Sequence, residues 1–155
     1  MNEMPYWYEY TEGEARKKLE QWLKRKKYQT VEVCIPKVDS SEWKEYMHLV
    51  DELCSTFNPD LFMENEDEYL LIETKRSFPS LVLTAFHQLD RYATLAYVLF
   101  PKLKDGTKQL RKIIFTERDI RDCSNTRRKE EALLMLTNRN DIEYWVWRDL
   151  ENRIA

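Results

Sequence analysis

Residues 58–77, reading NPDLFMENEDEYLLIETKRS, constrain the fold more than any other stretch of the chain. A short apolar run follows Pro59-Asp60, a polar break falls at Asn65-Glu66-Asp67, and a second apolar run ends in Glu73-Thr74-Lys75. Two such runs about a polar break predict a β-hairpin, although the break lacks the glycine that makes a tight turn easy. Strand alternation sets Leu71, Glu73 and Lys75 on one face and Leu70, Ile72 and Thr74 on the other. Folding back around Glu66 brings Asp60 beside Ile72 and Glu73. Two carboxylates and an ammonium then meet at one end of the hairpin.

The flanking sequence surrounds this hairpin with helices. Residues 11–27 carry Ala15, Leu19, Trp22 and Leu23 at helical spacing. A short strand is expected at 31–35, stopped by Pro36. Ser40 or Ser41 can cap a helix running to about Thr56, with Glu45, His48, Asp51 and Glu52 on its polar side. After the hairpin, Pro79 suits a helix N-terminus and Pro101 the exit, which bounds a long helix over 78–100. That helix is apolar on nearly all sides, but Thr84, His87, Gln88, Asp90, Arg91 and Thr94 interrupt it, so it reads as packed on a sheet and not as a membrane span. A strand at 110–116, a loop at 119–125 and a helix at 126–136 follow. Residues 142–147 fit either a strand or more helix. The order predicts an α/β (α+β) fold, a central mixed sheet flanked by helices, in a single domain spanning 1–155.

Composition removes several function classes. The chain has 155 residues and two glycines, which excludes a Gly-rich phosphate loop. Its three cysteines, Cys34, Cys54 and Cys123, are widely spaced, with no CxxC pair. They read as reduced thiols of an intracellular, cytoplasmic protein and not as a zinc site or disulfide framework. The N-terminal MNEMPYWYEY lacks the pattern of a signal peptide. A formal net charge of −3 means that any basic surface for nucleic acid is local.

The hairpin residues suit phosphodiester hydrolysis. That reaction needs charge stabilisation on a non-bridging oxygen and an activated water, both of which Mg²⁺ or Mn²⁺ held by carboxylates can supply. Asp60 and Glu73 offer the carboxylates, and the main-chain carbonyl of Thr74 can complete the inner shell. Lys75, on the face of Glu73, would orient or deprotonate the water.

Pro59-Asp60 followed by Glu73-Thr74-Lys75 after an apolar run resembles the PD-(D/E)xK nuclease superfamily. Gln88-Leu-Asp-Arg-Tyr92 resembles the QxxxY motif of its RecB-like branch, where the Gln and Tyr support the active site and the DNA strand. The resemblance implies a restriction-endonuclease-like core at about 41–116, with the N-terminal helix and C-terminal elements as additions. It also implies a metal-dependent deoxyribonuclease using Asp60, Glu73 and Lys75, with Gln88 and Tyr92 behind them. The family takes an upstream metal ligand from its first core helix, for which Glu45, His48 and Glu52 are the candidates. That core has a further strand between the first helix and the PD strand. Here it is vestigial at 54–58, or 31–35 takes its place. DNA is the expected partner, RNA is not excluded by the motif, and a nuclease this small often works as a homodimer.

Other readings compete. Asp60 can be a turn residue, and Glu73 with Lys75 an exposed pair on an edge strand. His87 reads as a helix-surface or core residue, and Trp145 and Trp147 as core or interface more than base-stacking platforms. Arg127 and Arg128 suit phosphate contact and a solvated helix start equally. A binding or protein-interaction protein that keeps the fold without turnover is the rival to the nuclease.

Overall fold

The computed structural model describes residues 11–31 and 56–154. Helix α1 (Glu12–Arg25) opens on a capping box in which the Thr11 hydroxyl accepts from Glu14 N–H while the Glu14 carboxylate takes the Thr11 N–H. Strands β1 (Gln29–Thr30), β2 (Leu61–Glu64) and β3 (Glu68–Lys75) follow. Helix α2 (Pro79–Leu99) starts on Pro79 and stops before Pro101, where a short helix, α3 (Pro101–Lys104), begins. Then come β4 (Gln109–Thr116), helix α4 (Arg127–Asn138) and β5 (Ile142–Val146), with single 3₁₀ turns at Ile120–Asp122 and Trp147–Asn152. Residues 142–146, which fitted either state, are therefore a strand. The described strand is Gln29–Thr30, just before the one expected at 31–35, and Val31 N–H donates to Phe62 O at 2.9 Å. Residues 32–35 and all of the expected helix at 41–56 except Thr56 lie outside the described residues.

The five strands form one mixed sheet in the order β1-β2-β3-β4-β5. β1, β2 and β3 are antiparallel neighbours, whereas β3, β4 and β5 run parallel. Each parallel step needs a crossover, and α2 and α4 provide the two. Both helices cover one face. There Phe62, Tyr69, Leu71 and Ile114 pack against Val82, Ala85, Phe86 and Leu89 of α2 and Ala132 of α4. On the other face Leu70, Ile72, Ile113, Phe115 and Trp145 meet Ala15, Leu19, Trp22 and Leu23 of α1. The N-terminal helix, expected as an addition to a core at 41–116, packs over this face together with Leu150, Trp147 and Ile154, and β5 extends the sheet beyond 116. Trp145 is fully buried, as its core reading requires. Among the described residues no helix is long and apolar enough to cross a membrane.

The hairpin turn forms without glycine because Asn65 substitutes for it. Its side-chain oxygen accepts from both Asp67 N–H and Glu68 N–H at 2.9 Å, and its own N–H reaches Glu68 O at 3.1 Å. This side-chain mimic of a backbone turn lets residues 66 and 67 avoid positive φ. On the α1 face, Arg111 of β4 donates to Glu143 of β5 at 2.7 Å and to Glu68 of β3 at 3.1 Å. One guanidinium therefore clasps three adjacent strands.

Helix α1 ends differently. Tyr28 N–H bonds Leu23 O at 3.0 Å and Lys27 N–H bonds Lys24 O at 3.1 Å, the Schellman pattern, with Lys27 at φ 70°. A lysine pays a steric penalty in that left-handed position that glycine does not. Lys27→Gly should raise stability by roughly 0.5–1 kcal/mol in urea unfolding. A lowered midpoint would mean that the lysine side chain contributes more than its backbone costs.

Candidate active site

The site sits where β2 enters and β3 leaves the sheet. Register pairs Leu61 with Ile72, so the next step opposes Asp60 to Glu73. Asp60 Oδ2 accepts Thr74 N–H at 2.8 Å, and Asp60 N–H approaches Glu73 Oε1 at 3.4 Å. These two bonds lock the carboxylates on the α2 face at one level of the hairpin. β3 lies between β2 and β4, so it is a central strand and Glu73 is only 2% exposed. The reading of Glu73 and Lys75 as an exposed pair on an edge strand therefore fails. Lys75, two residues on and half-buried, shares that face and pairs in register with Thr116.

A carboxyl in this position is electrostatically costly. Burial pushes Glu73 up from its ordinary 4.5 to about 8, and the charge of Asp60 and a hydrogen bond with it add to the rise. Lys75 and the Asp60 backbone N–H oppose the shift without cancelling it. Two carboxyl groups held together in a largely apolar wall are the kind of donor set a hard divalent cation would take. Asp60, Glu73 and the Thr74 main-chain carbonyl are the residues that would hold it. Among the described residues no group of three His, Cys, Asp or Glu side chains is arranged for a metal. Glu45, His48 and Glu52, the candidates for an upstream ligand, lie outside the described residues.

Helix α2 stands over the same face. Tyr92 is half-buried and meets Phe57 edge-on at 6.0 Å between ring centroids, three residues before Asp60. Burial raises its phenol, and the charges of Glu73 and Asp60 raise it further, which sets Tyr92 within electrostatic reach of both carboxylates. Gln88, one turn earlier, has a buried side-chain carbonyl oxygen with no hydrogen-bond partner among the described residues. His87 is exposed. Arg127 and Arg128 open α4 with side chains 91% and 67% exposed, and both pair with Glu131. That is the solvated-start arrangement.

Beyond the ends of β3, β4 and β5 the chain builds a feature the sequence reading missed. Residues following the three parallel strands line a cleft of about 590 Å³ that includes Arg76, Phe78, Asp119, Trp147 and Arg148. Asp119 is its anchor. Its side chain is wholly buried and accepts from Arg121 Nε at 2.8 and 2.9 Å and from Arg148 Nη2 at 3.1 Å. Burial alone would raise this carboxyl, but Arg121 and Arg148 hold it below the ordinary value. The local sequence signal, Arg118-Asp119-Ile120-Arg121, is too ordinary to single out. Only the parallel strand ends bring Arg148 to it.

The Glu73 shift has a thermodynamic sign. A folded-state pKa above the unfolded one gives stability that is complete below about 4.5 and lost as pH rises through about 8. In EDTA, thermal unfolding should therefore show stability falling across that window. Glu73→Gln should flatten the profile and, at the alkaline end, exceed wild type by on the order of 1 kcal/mol or more. A wild-type profile already flat would remove the buried-carboxyl account. Comparison with protein-family models, curated proteins and solved structures gives no match to this chain.

Proposed function

We propose that this chain is a metal-dependent nuclease with a restriction-endonuclease-like core, hydrolysing DNA phosphodiester bonds. One observation carries the reading: two carboxylates, Asp60 and Glu73, converge on a central strand with Lys75 beside them, and one of the two is almost completely buried. A purely structural role would not require a carboxyl to be buried next to a second carboxyl.

Element order supports the same reading. The family's core runs from a first helix through a strand to the PD strand, and α1, β1 and β2 follow that order. In this arrangement α1 takes the place of the first helix and β1 that of the intervening strand, instead of the helix expected at 41–56. β3 then carries Glu73-Thr74-Lys75, and α2 carries Gln88 and Tyr92 over it.

A bound Mg²⁺ or Mn²⁺ supplies Lewis-acid stabilisation of the phosphate and a more acidic water. The chain's own residues do the rest. Asp60 is oriented by the Thr74 N–H, which it accepts at 2.8 Å. Glu73, in its apolar wall, would hold the cation as a carboxylate, after giving up its proton to solvent. Lys75 offers an ammonium for the attacking water or for charge developing on the phosphate. Gln88 and Tyr92 would support the site from α2, the glutamine with an acceptor that has no partner among the described residues.

Incubation with linear, single-stranded and branched DNA, and with RNA, in Mg²⁺ or Mn²⁺ tests the reading. Asp60→Ala, Glu73→Ala and Lys75→Ala should each lower cleavage at least about 100-fold, and Tyr92→Phe about tenfold or less. If Glu73→Ala cuts as well as wild type, the catalytic reading fails. Nucleic-acid affinity without any cutting or metal binding would favour the non-catalytic binding protein.

A further inference from the structure

The cleft beyond β3, β4 and β5 is separate from the carboxylate pair and begins one residue past Lys75. Its walls come from the segments that leave three parallel strands, so they converge at one edge of the sheet. Aromatic, cationic and acidic groups face it, the acidic ones being Glu117, Asp119 and Asp122.

The aromatic groups are Phe78 and Trp147. Phe78, at the N-cap of α2, is 49% exposed. The Arg76 guanidinium lies 5.3 Å from its ring centroid. Trp147 is half-buried, with Lys18 Nζ 4.5 Å from its ring centroid and Phe115 edge-on at 6.5 Å. A cationic group is held in place beside them. Buried Asp119 grips Arg148, which lines the cleft with its side chain still 61% exposed, and also holds the neighbouring Arg121. Arg148 Nη1 also donates to Asp122 at 2.9 Å. An exposed guanidinium whose orientation is set by a buried carboxylate is arranged to present its remaining donors to an outside anion.

A stacking ring, a fixed guanidinium and a volume in the roughly 300–1,000 Å³ range of small-ligand sites match one or two nucleotides and not a duplex. Protein-wide electrostatics does not create the site, because the chain is net negative at −3. We propose that this cleft binds an unpaired polynucleotide strand, with a base on Phe78 and Trp147 and a phosphate on Arg148. The assignment rests on the nuclease reading for the place of the scissile phosphate, which Lys75 puts at the mouth of the cleft. It makes the preferred substrate a strand that is single or frayed on the side of the cut nearest Phe78.

Fluorescence anisotropy in EDTA reads binding apart from cutting. The probes are a labelled short oligothymidine, the matching oligouridine and a blunt duplex of equal length. Wild type should bind one or both unpaired strands more tightly than the duplex, the two sugars showing whether DNA or RNA is preferred. Phe78→Ala, which removes an exposed ring, should weaken that binding roughly tenfold. Arg148→Lys should weaken it too, keeping the charge near Asp119 but losing the planar fork. Lys104→Ala, an exposed cation on α3, should leave it unchanged, and thermal melts check that each variant is folded. Equal affinity for duplex and unpaired strands, or a folded Phe78→Ala that binds oligothymidine and oligouridine as wild type does, overturns the proposal. Phe78-dependent binding without metal-dependent cutting would sink the nuclease reading and leave the cleft assignment standing. Cutting that is indifferent to Phe78 would do the reverse.

Discussion

A carboxyl buried at the middle of a sheet, against a second carboxyl, is the constraint to which the rest of the structure answers. Glu73 cannot be solvated where it sits, and Asp60 makes its ionisation harder. The hairpin register places the two opposite each other, and the backbone N–H groups of Thr74 and Asp60 hold the arrangement. Around it the protein is built as for an apolar core. Phe57, Phe62, Tyr69 and Phe100 form an aromatic cluster next to the pair, with ring centroids 4.9 to 5.6 Å apart for the contacts among them. For stability alone, an aliphatic side chain at 73 would cost less than a buried carboxyl.

The two sheet faces divide the labour. On the α1 face the charged groups are structural: Arg111 bridges Glu68 and Glu143, Tyr28 OH donates to Glu68, and Trp145 Nε1 donates to Glu143 at 3.2 Å. Those carboxylates are matched by donors and hold the strands in register. On the α2 face the carboxylates at 60 and 73 have each other and Lys75. Their partners among the described side chains are too few to neutralise them, and that contrast separates a site from a clasp.

Parallel strand order decides the rest. Because β3, β4 and β5 run the same way, the segments after Lys75, Thr116 and Val146 come out at one edge, and the cleft forms there. Tyr144 helps to shape it: its hydroxyl pairs with Thr116 Oγ1 and accepts Ile120 N–H at 3.0 Å, pinning the turn that carries Asp119. A different crossover would have kept every local element and lost the meeting of Asp119 with Arg148.

Much of this was legible in the residues. Alternation and spacing located β2, β3, α1, α2, β4 and α4 to within a few positions, since these elements are set by local periodicity, caps and prolines. The convergence of Asp60 with Glu73 followed from hairpin pairing alone, a short-range consequence of two runs and a turn. Position in the sheet could not be read that way. That β3 is central, that α1 packs on one face of the sheet and that Gln29–Thr30 pairs with β2 all depend on contacts between distant segments. The ambiguous residues 142–146 became a strand because β4 offered them a parallel edge. The sequence by itself determined which charged groups meet at the hairpin. Tertiary structure decided that Glu73 is buried and that a cleft lies beyond it, because burial and strand order are properties of the assembled sheet and not of any one segment.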